Sequence, residues 1–162
     1  MASTVQPKKI SVPTLVPKIT KPWSPKLLAN LNGEYDIKVA RLRGSYIFHA
    51  HPNTDELFYI LEGTLLMKLK EDGNESTAHL EDVVVSVSNS IFGSLGEKDV
   101  LTTWKLNAGD VFNVPRGVRH CPVTQGGDVI TLLVEMVGTL NSGDANRVEG
   151  LTNEVEDVRD QA

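Results

Sequence analysis

Residues 44–63 read GSYIFHAHPNTDELFYILEG, and this stretch decides the fold. On a strand, side chains alternate between faces, so His49 and His51 project together with Ile47, while Tyr46, Phe48 and Ala50 point the other way. The Pro52–Asp55 segment makes a turn, and an antiparallel return sets Glu56 at the start of the next strand. One carboxylate then stands beside two imidazoles, which is a set of metal ligands.

A second stretch, GDVFNVPRGVRHCPVT at 109–124, carries a strand into a Pro115–Arg116–Gly117 turn, with His120 opening the strand that follows. Laid against the first hairpin, it supplies His120 as a fourth ligand. Three neutral imidazoles and one carboxylate suit Fe(II), Mn(II), Ni(II), Cu(II) or Zn(II). A six-coordinate ion held this way keeps two positions open for water, dioxygen or substrate.

The texture around these stretches is that of an all-β chain. Short strand-like runs cover 35–42, 45–49, 56–61, 64–70, 83–88, 101–106, 110–114 and 128–137, separated by glycine-bearing turns. Long helices alternating with the strands are missing, which excludes a parallel α/β sheet. Residues 1–34 form an N-terminal arm and short helix, the proline-punctuated arm over 1–22 carrying Val12 and Leu15–Val16, which can dock on a surface. A short helix is predicted from the Ser24 cap and Pro25 to the stop at Gly33, with Leu27, Leu28 and Leu31 on one face. Residues 141–162 form an acidic tail, read equally as a short exposed helix or a frayed end.

Composition narrows the function classes. The 162 residues carry a formal charge of −5, which gives no broad electrostatic case for nucleic acid. Five lysines and no acid lie in residues 1–33, so the remaining 129 residues balance at −10. That basic segment lacks arginine and is broken by five prolines, unlike an organelle transit peptide. With no long apolar run and a single cysteine, Cys121, the expectation is a cytoplasmic protein without membrane span or internal disulfide.

The two stretches resemble the paired motifs of the cupin superfamily. His49, His51, Glu56 and Gly63 match the first motif, with Gly44 one position nearer to His49 than the pattern has it. Gly109, Pro115, Gly117 and His120 match the second, with Thr124 where the family has asparagine, a residue that does not bind the metal. The resemblance covers about residues 35–138. It implies a jelly-roll β-barrel over 35–140, with the metal in its open interior, and a homodimer. Within it, motif 1 spans 44–63, an insertion spans 64–108 and motif 2 spans 109–124.

Cupins include dioxygenases, decarboxylases, isomerases, lyases and non-enzymatic binders, so fold does not settle function. The reading taken forward is an enzyme holding one divalent ion and acting on a small organic molecule, an oxidoreductase of the dioxygenase type. A lyase or isomerase, and a non-catalytic metal or small-ligand binder, stand beside it. Glu135, interrupting the apolar run 129–137, is the candidate general base if its face points inward. The apolar segment from Val83 to Glu97 is either a lid or an elaborated edge. His79 reads as exposed, Cys121 as a wall residue, and Arg116 and Arg119 as surface pairs or rim contacts for an anion.

Overall fold

The structure, a computed structural model, describes residues 7–71, 83–88 and 99–160. The turn expected at Asp72–Asn74, His79, and residues 89–98 of the apolar insertion lie outside the described residues. Ten strands are described: β1 (Lys26–Leu31), β2 (Tyr35–Leu42), β3 (Glu56–Glu62), β4 (Thr64–Glu71), β5 (Val83–Ser88), β6 (Asp99–Asn107), β7 (Val111–Val114), β8 (Arg119–Thr124), β9 (Val129–Met136) and β10 (Glu156–Asp157). They form a six-stranded sheet, ordered β10-β1-β2-β9-β3-β7, and a four-stranded sheet, ordered β5-β6-β4-β8. No helix among the described residues is long and apolar enough to cross a membrane.

Among the described residues the expected barrel is not present, because the two sheets do not close into one. Where closure would run, the chain after β2 meets β8 only through isolated bridges, Ser45 with Val123 and His49 with His120. Pro122 supplies a physical reason. It has no N–H to donate and belongs on an edge strand, so β8 pairs with β4 on one side and offers the Pro122 carbonyl to Tyr46 N on the other (3.0 Å). The run expected as a strand over 45–49 is therefore a bent crossover.

The predicted helix over 24–33 is also corrected. Residues 26–31 are β1, paired antiparallel with β2. The missed signal is Asn32–Gly33, a hairpin dipeptide, with both residues at positive φ (56° and 73°) and the turn closed by Glu34 N on Leu31 O at 2.9 Å. The short helix lies earlier, at Val12–Leu15, and runs into a 3-10 turn at Val16–Lys18. The segment from 141 is neither helix nor frayed end: it returns as β10, parallel to β1, and buries Val158.

Alternation along the strands builds two apolar layers. Between the sheets, Ala40, Phe58 and Leu133 of the larger sheet pack with Leu65, Met67 and Leu106 of the smaller. On the outer face of the larger sheet, Val16 and Ile19 of the arm cover Val39 and Ile130. The arm is clamped there by Arg41, which donates to Ile19 O (2.6 Å) and Val16 O (3.1 Å) and pairs with Asp128 (2.7 Å). Gly63, at the β3–β4 turn, has φ +85, and a Cβ there would lie 2.5 Å from Asp128 O, so the last residue of the first motif must be glycine. The described part of the apolar segment from Val83 to Glu97, β5, pairs with β6 as a sheet edge.

Candidate metal centre and its pocket

The two motifs are tied together by backbone before any metal is considered. His49 N donates to His120 O (3.0 Å) and His120 N to His49 O (2.8 Å), while Gly117 N donates to His51 O (2.9 Å). Asp55, in the turn before Glu56, accepts from Arg116 N (2.9 Å) and Asn113 Nδ2 (3.2 Å). Those bonds hold its carboxyl below the usual range. Its role went unread in the sequence, although an Asp in a turn is the usual acceptor for such bonds.

His49, His51, Glu56 and His120 come together with their ligand atoms all within 4.8 Å of one another. All four residues are buried. His49 Nδ1 and His120 Nδ1 each sit 3.0 Å from a carbonyl two residues earlier, Ile47 O and Val118 O. A carbonyl only accepts, so in the neutral rings Nδ1 carries the hydrogen and Nε2 presents its lone pair. His120 Nε2 then faces Glu56 Oε2 at 2.9 Å, two lone-pair atoms that need a cation or proton between them. His51 Nε2 lies 3.4 Å from the same oxygen and, though buried, makes no hydrogen bond. Converging lone pairs and an orphaned imidazole nitrogen fit one divalent ion.

Electrostatics agree with that fit. Burial, then the neighbouring His120, pushes His49 down to about 4, which keeps it neutral and able to ligate. Burial works to raise Glu56, but the His120 and His51 rings beside it hold it well below the ordinary carboxylate range. Burial opposes the charged form of His51 as well, yet the Glu56 and Glu135 carboxylates outweigh it and raise its pKa.

Beside the donors lies a small pocket. His49 and Glu56 form part of its wall, and Ala40, Leu42, Phe58 and Leu133 make it largely apolar. Tyr46 also lines it, although regular alternation places that side chain opposite the histidines. The bend after Gly44 breaks the period of two. The Tyr46 hydroxyl is buried with no hydrogen-bond partner, and burial together with the charges of Glu56 and Glu135 pushes it up to about 12.

Trp23 completes this wall, stacked on Tyr46 with ring centroids 4.7 Å apart. Its backbone has φ 55°, a left-handed conformation that costs a non-glycine residue roughly 1–2 kcal/mol. Three bonds hold it there: Trp23 N to Arg41 O (2.9 Å), Nε1 to Arg43 O (2.9 Å), and Asn153 Nδ2 to Trp23 O (3.0 Å). Neither Trp23 nor Asn141, which shares the lining, carries a motif that a sequence reading finds.

Glu135 points between the sheets and is 1% exposed. Its Oε1 accepts from Lys38 Nζ at 2.6 Å, with Lys38 equally buried, and its Oε2 has no partner. Burial and then Glu56 push its carboxyl up to about 7 against the pull of Lys38. Lys38 also went unread in the sequence, though it shares the inward parity of Ala40 and Leu42 on β2. The other candidates are structural. Cys121 is buried, donates to Tyr46 O (3.3 Å), and has its pKa raised by burial, which makes it a poor nucleophile. Arg119 pairs with Asp144, and neither it nor Arg116 lines the pocket.

Fold and site together define a mostly β-strand protein with a buried cluster of three histidines and one glutamate that could hold a metal ion. A family model described as cupin matches residues 24–156, and the chain belongs to the cupin family. Among solved structures, it is similar to a cupin-2 domain-containing protein of Shewanella frigidimarina: 22% identity, 77% of this chain and 91% of that one, TM-score 0.54. It is also similar to hydroquinone 1,2-dioxygenase of Sphingomonas sp. TTNP3: 17% identity, 85% and 81% coverage, TM-score 0.55. At such identities the likeness is one of fold. Among curated proteins, the uncharacterized protein YdbB of Bacillus subtilis is 42% identical over 38 residues, 24% of this chain; the match spans 34% of that relative's length.

Proposed function

We propose that this cupin is a metal-dependent enzyme acting on a small organic molecule, an oxidoreductase of the dioxygenase type. The observation that carries the reading is a largely apolar pocket beside the donor set, whose lining among the described residues offers Tyr46 as its sole acid or base outside the ligands. Chemistry that needs a protein base in contact with substrate is poorly served there.

His49, His51, Glu56 and His120 hold the ion. When bound, it supplies Lewis acidity and, if redox-active, electron transfer toward dioxygen. Nδ1–H bonds to Ile47 and Val118 carbonyls orient the His49 and His120 rings. Phe58 and Leu133 exclude water, and the Tyr46 hydroxyl donates a hydrogen bond to a substrate oxygen. The exposed side chains of Tyr35, Tyr59, Val111 and Met136 on the outer face of the six-stranded sheet support a homodimer as the working state.

A second reading, a lyase or isomerase, is favoured by the unbonded Oε2 of Glu135, which would take the proton. Elemental analysis of protein purified without oxygen or chelator, beside His49→Ala/His120→Ala, tests the metal. Near-stoichiometric metal lost in the double variant is the expected result. Oxygen uptake that survives Glu135→Gln supports the first reading, and oxygen-independent turnover abolished by Glu135→Gln supports the second. A wild type that stays metal-free after reconstitution with each ion refutes both.

A further inference from the structure

We propose that the pocket takes a small planar ring compound whose acidic oxygens sit at one edge, with its ring against the Trp23–Tyr46 stack and the oxygens at the metal donors. This rests on the metal reading above and names the substrate class for the same site.

The lining excludes the main alternatives. A phosphate or a polycarboxylate needs cations, and no lysine or arginine among the described residues lines the pocket; Lys38, the nearby buried cation, is held by Glu135. Sugars and other polyols need many hydrogen bonds, and outside the ligand set the lining side chains offer the Tyr46 hydroxyl, the Trp23 indole and the Asn141 amide. The indole N–H is already given to Arg43 O. What remains is a ligand with an apolar, flat body.

Two features point to a ring with oxygens at one edge. Trp23 and Tyr46 make an aromatic wall, and Tyr46 meets His49 edge-on with centroids 5.2 Å apart. The wall therefore leads to the donor set. At that junction stands the buried Tyr46 hydroxyl without a partner, a donor that a ligand oxygen satisfies. Trp23 is set there by a left-handed backbone conformation and three hydrogen bonds, so its ring is in place before a ligand arrives.

Zn(II)-loaded protein, with metal content checked on the same sample, is titrated calorimetrically with 2-hydroxybenzoate and with 2-hydroxycyclohexanecarboxylate, which keeps the oxygens but not the flat ring. The aromatic probe is expected to bind at least about tenfold more tightly, in line with the contribution of aromatic contacts plus buried area. Trp23→Leu abolishes that preference, and Trp23→Phe restores most of it, which separates lost stacking from misfolding. Tyr46→Phe weakens both probes by about fivefold with zinc content unchanged, the loss of one hydrogen bond. Equal affinity for the two probes, or a preference that survives Trp23→Leu, overturns the proposal while leaving the metal reading intact. Failure of the wild type to load zinc, or any of the other ions, overturns both.

Discussion

Replacing Lys38 by Met leaves Glu135 without its partner while nearly conserving side-chain length. Both residues are 1% exposed and their charged atoms are 2.6 Å apart. Breaking a buried pair from one side costs about 3–5 kcal/mol, because the surviving charge stays desolvated. For a chain of this size, each kcal/mol moves Tm by about 2–4 °C, so a loss of about 4 kcal/mol lowers it by roughly 8–16 °C. The sign of the pH dependence follows from Glu135. Its folded pKa, about 7, lies above the unfolded value of about 4.3. The folded state therefore binds the proton more tightly, and stability from this group is full below pH ~4 and lost as pH rises to about 7. Without Lys38 that loss continues to higher pH, at about 1.4 kcal/mol for each further pKa unit. Urea melts of metal-free Lys38→Met at pH 6 and pH 8.5 test this, with Lys38→Met/Glu135→Leu as the double variant. The deficit is expected to widen with pH, and the double variant to recover most of it. A deficit under 1 kcal/mol at pH 8.5, or a double variant less stable than the single, refutes the reasoning.

Other perturbations probe the supports of the site. Gly143→Ala puts a Cβ 2.2 Å from Ala50 O and 3.3 Å from a His49 ring carbon, at φ +51; metal affinity, measured by competition with a chelator, is expected to fall by about tenfold or more, as for lost outer-shell support. Asp55→Ala removes the two bonds that join the motif turns and is expected to cost about 1–3 kcal/mol in urea melts, with metal affinity falling alongside. Asp128→Asn weakens the clamp of Arg41 and Arg43. These arginines hold the Asp128 carboxyl near 2, so the wild type has this stabilisation above pH ~4 and loses it as pH falls toward 2. The variant is expected to lack that acid-dependent loss in stability titrations. Gly63→Ala, whose Cβ meets Asp128 O at 2.5 Å, is expected to lower Tm through strain at the β3–β4 turn.

The clustering of His49, His51, Glu56 and His120 was legible because each lies within a short, patterned stretch. His49 and His51 precede a turn into Glu56, and the Pro115–Gly117 turn sets up His120. The strands β2, β3, β4 and β9 were legible for a similar reason, as runs with apolar residues at their inward positions. The helix over 24–33 failed because an Asn–Gly turn outweighs the caps that suggested a helix. The barrel failed because closure depends on whether 45–51 forms a continuous ladder with β8, and Pro122 prevents that. Tyr46 was misplaced by assuming regular alternation through a bend. Trp23, Lys38 and Asn141 reach the site or its surroundings from distant parts of the chain, where one sequence provides no pairing signal beyond the inward parity of Lys38.

The pairing of β1 with β10 bears on the order of events in time. Lys26 pairs with Glu156, so this ladder closes a loop of nearly the whole chain, and loop-closure entropy delays such contacts. Asn153, which bonds the Trp23 carbonyl, and Asn141 on the lining belong to the same late-arriving segment. The β10 segment, held by a two-residue strand, is expected to be among the first of the described strands to open. Amide exchange at Glu156 and Val158, which donate to Pro25 and Leu27 carbonyls, times that opening while the ligand histidines stay protected.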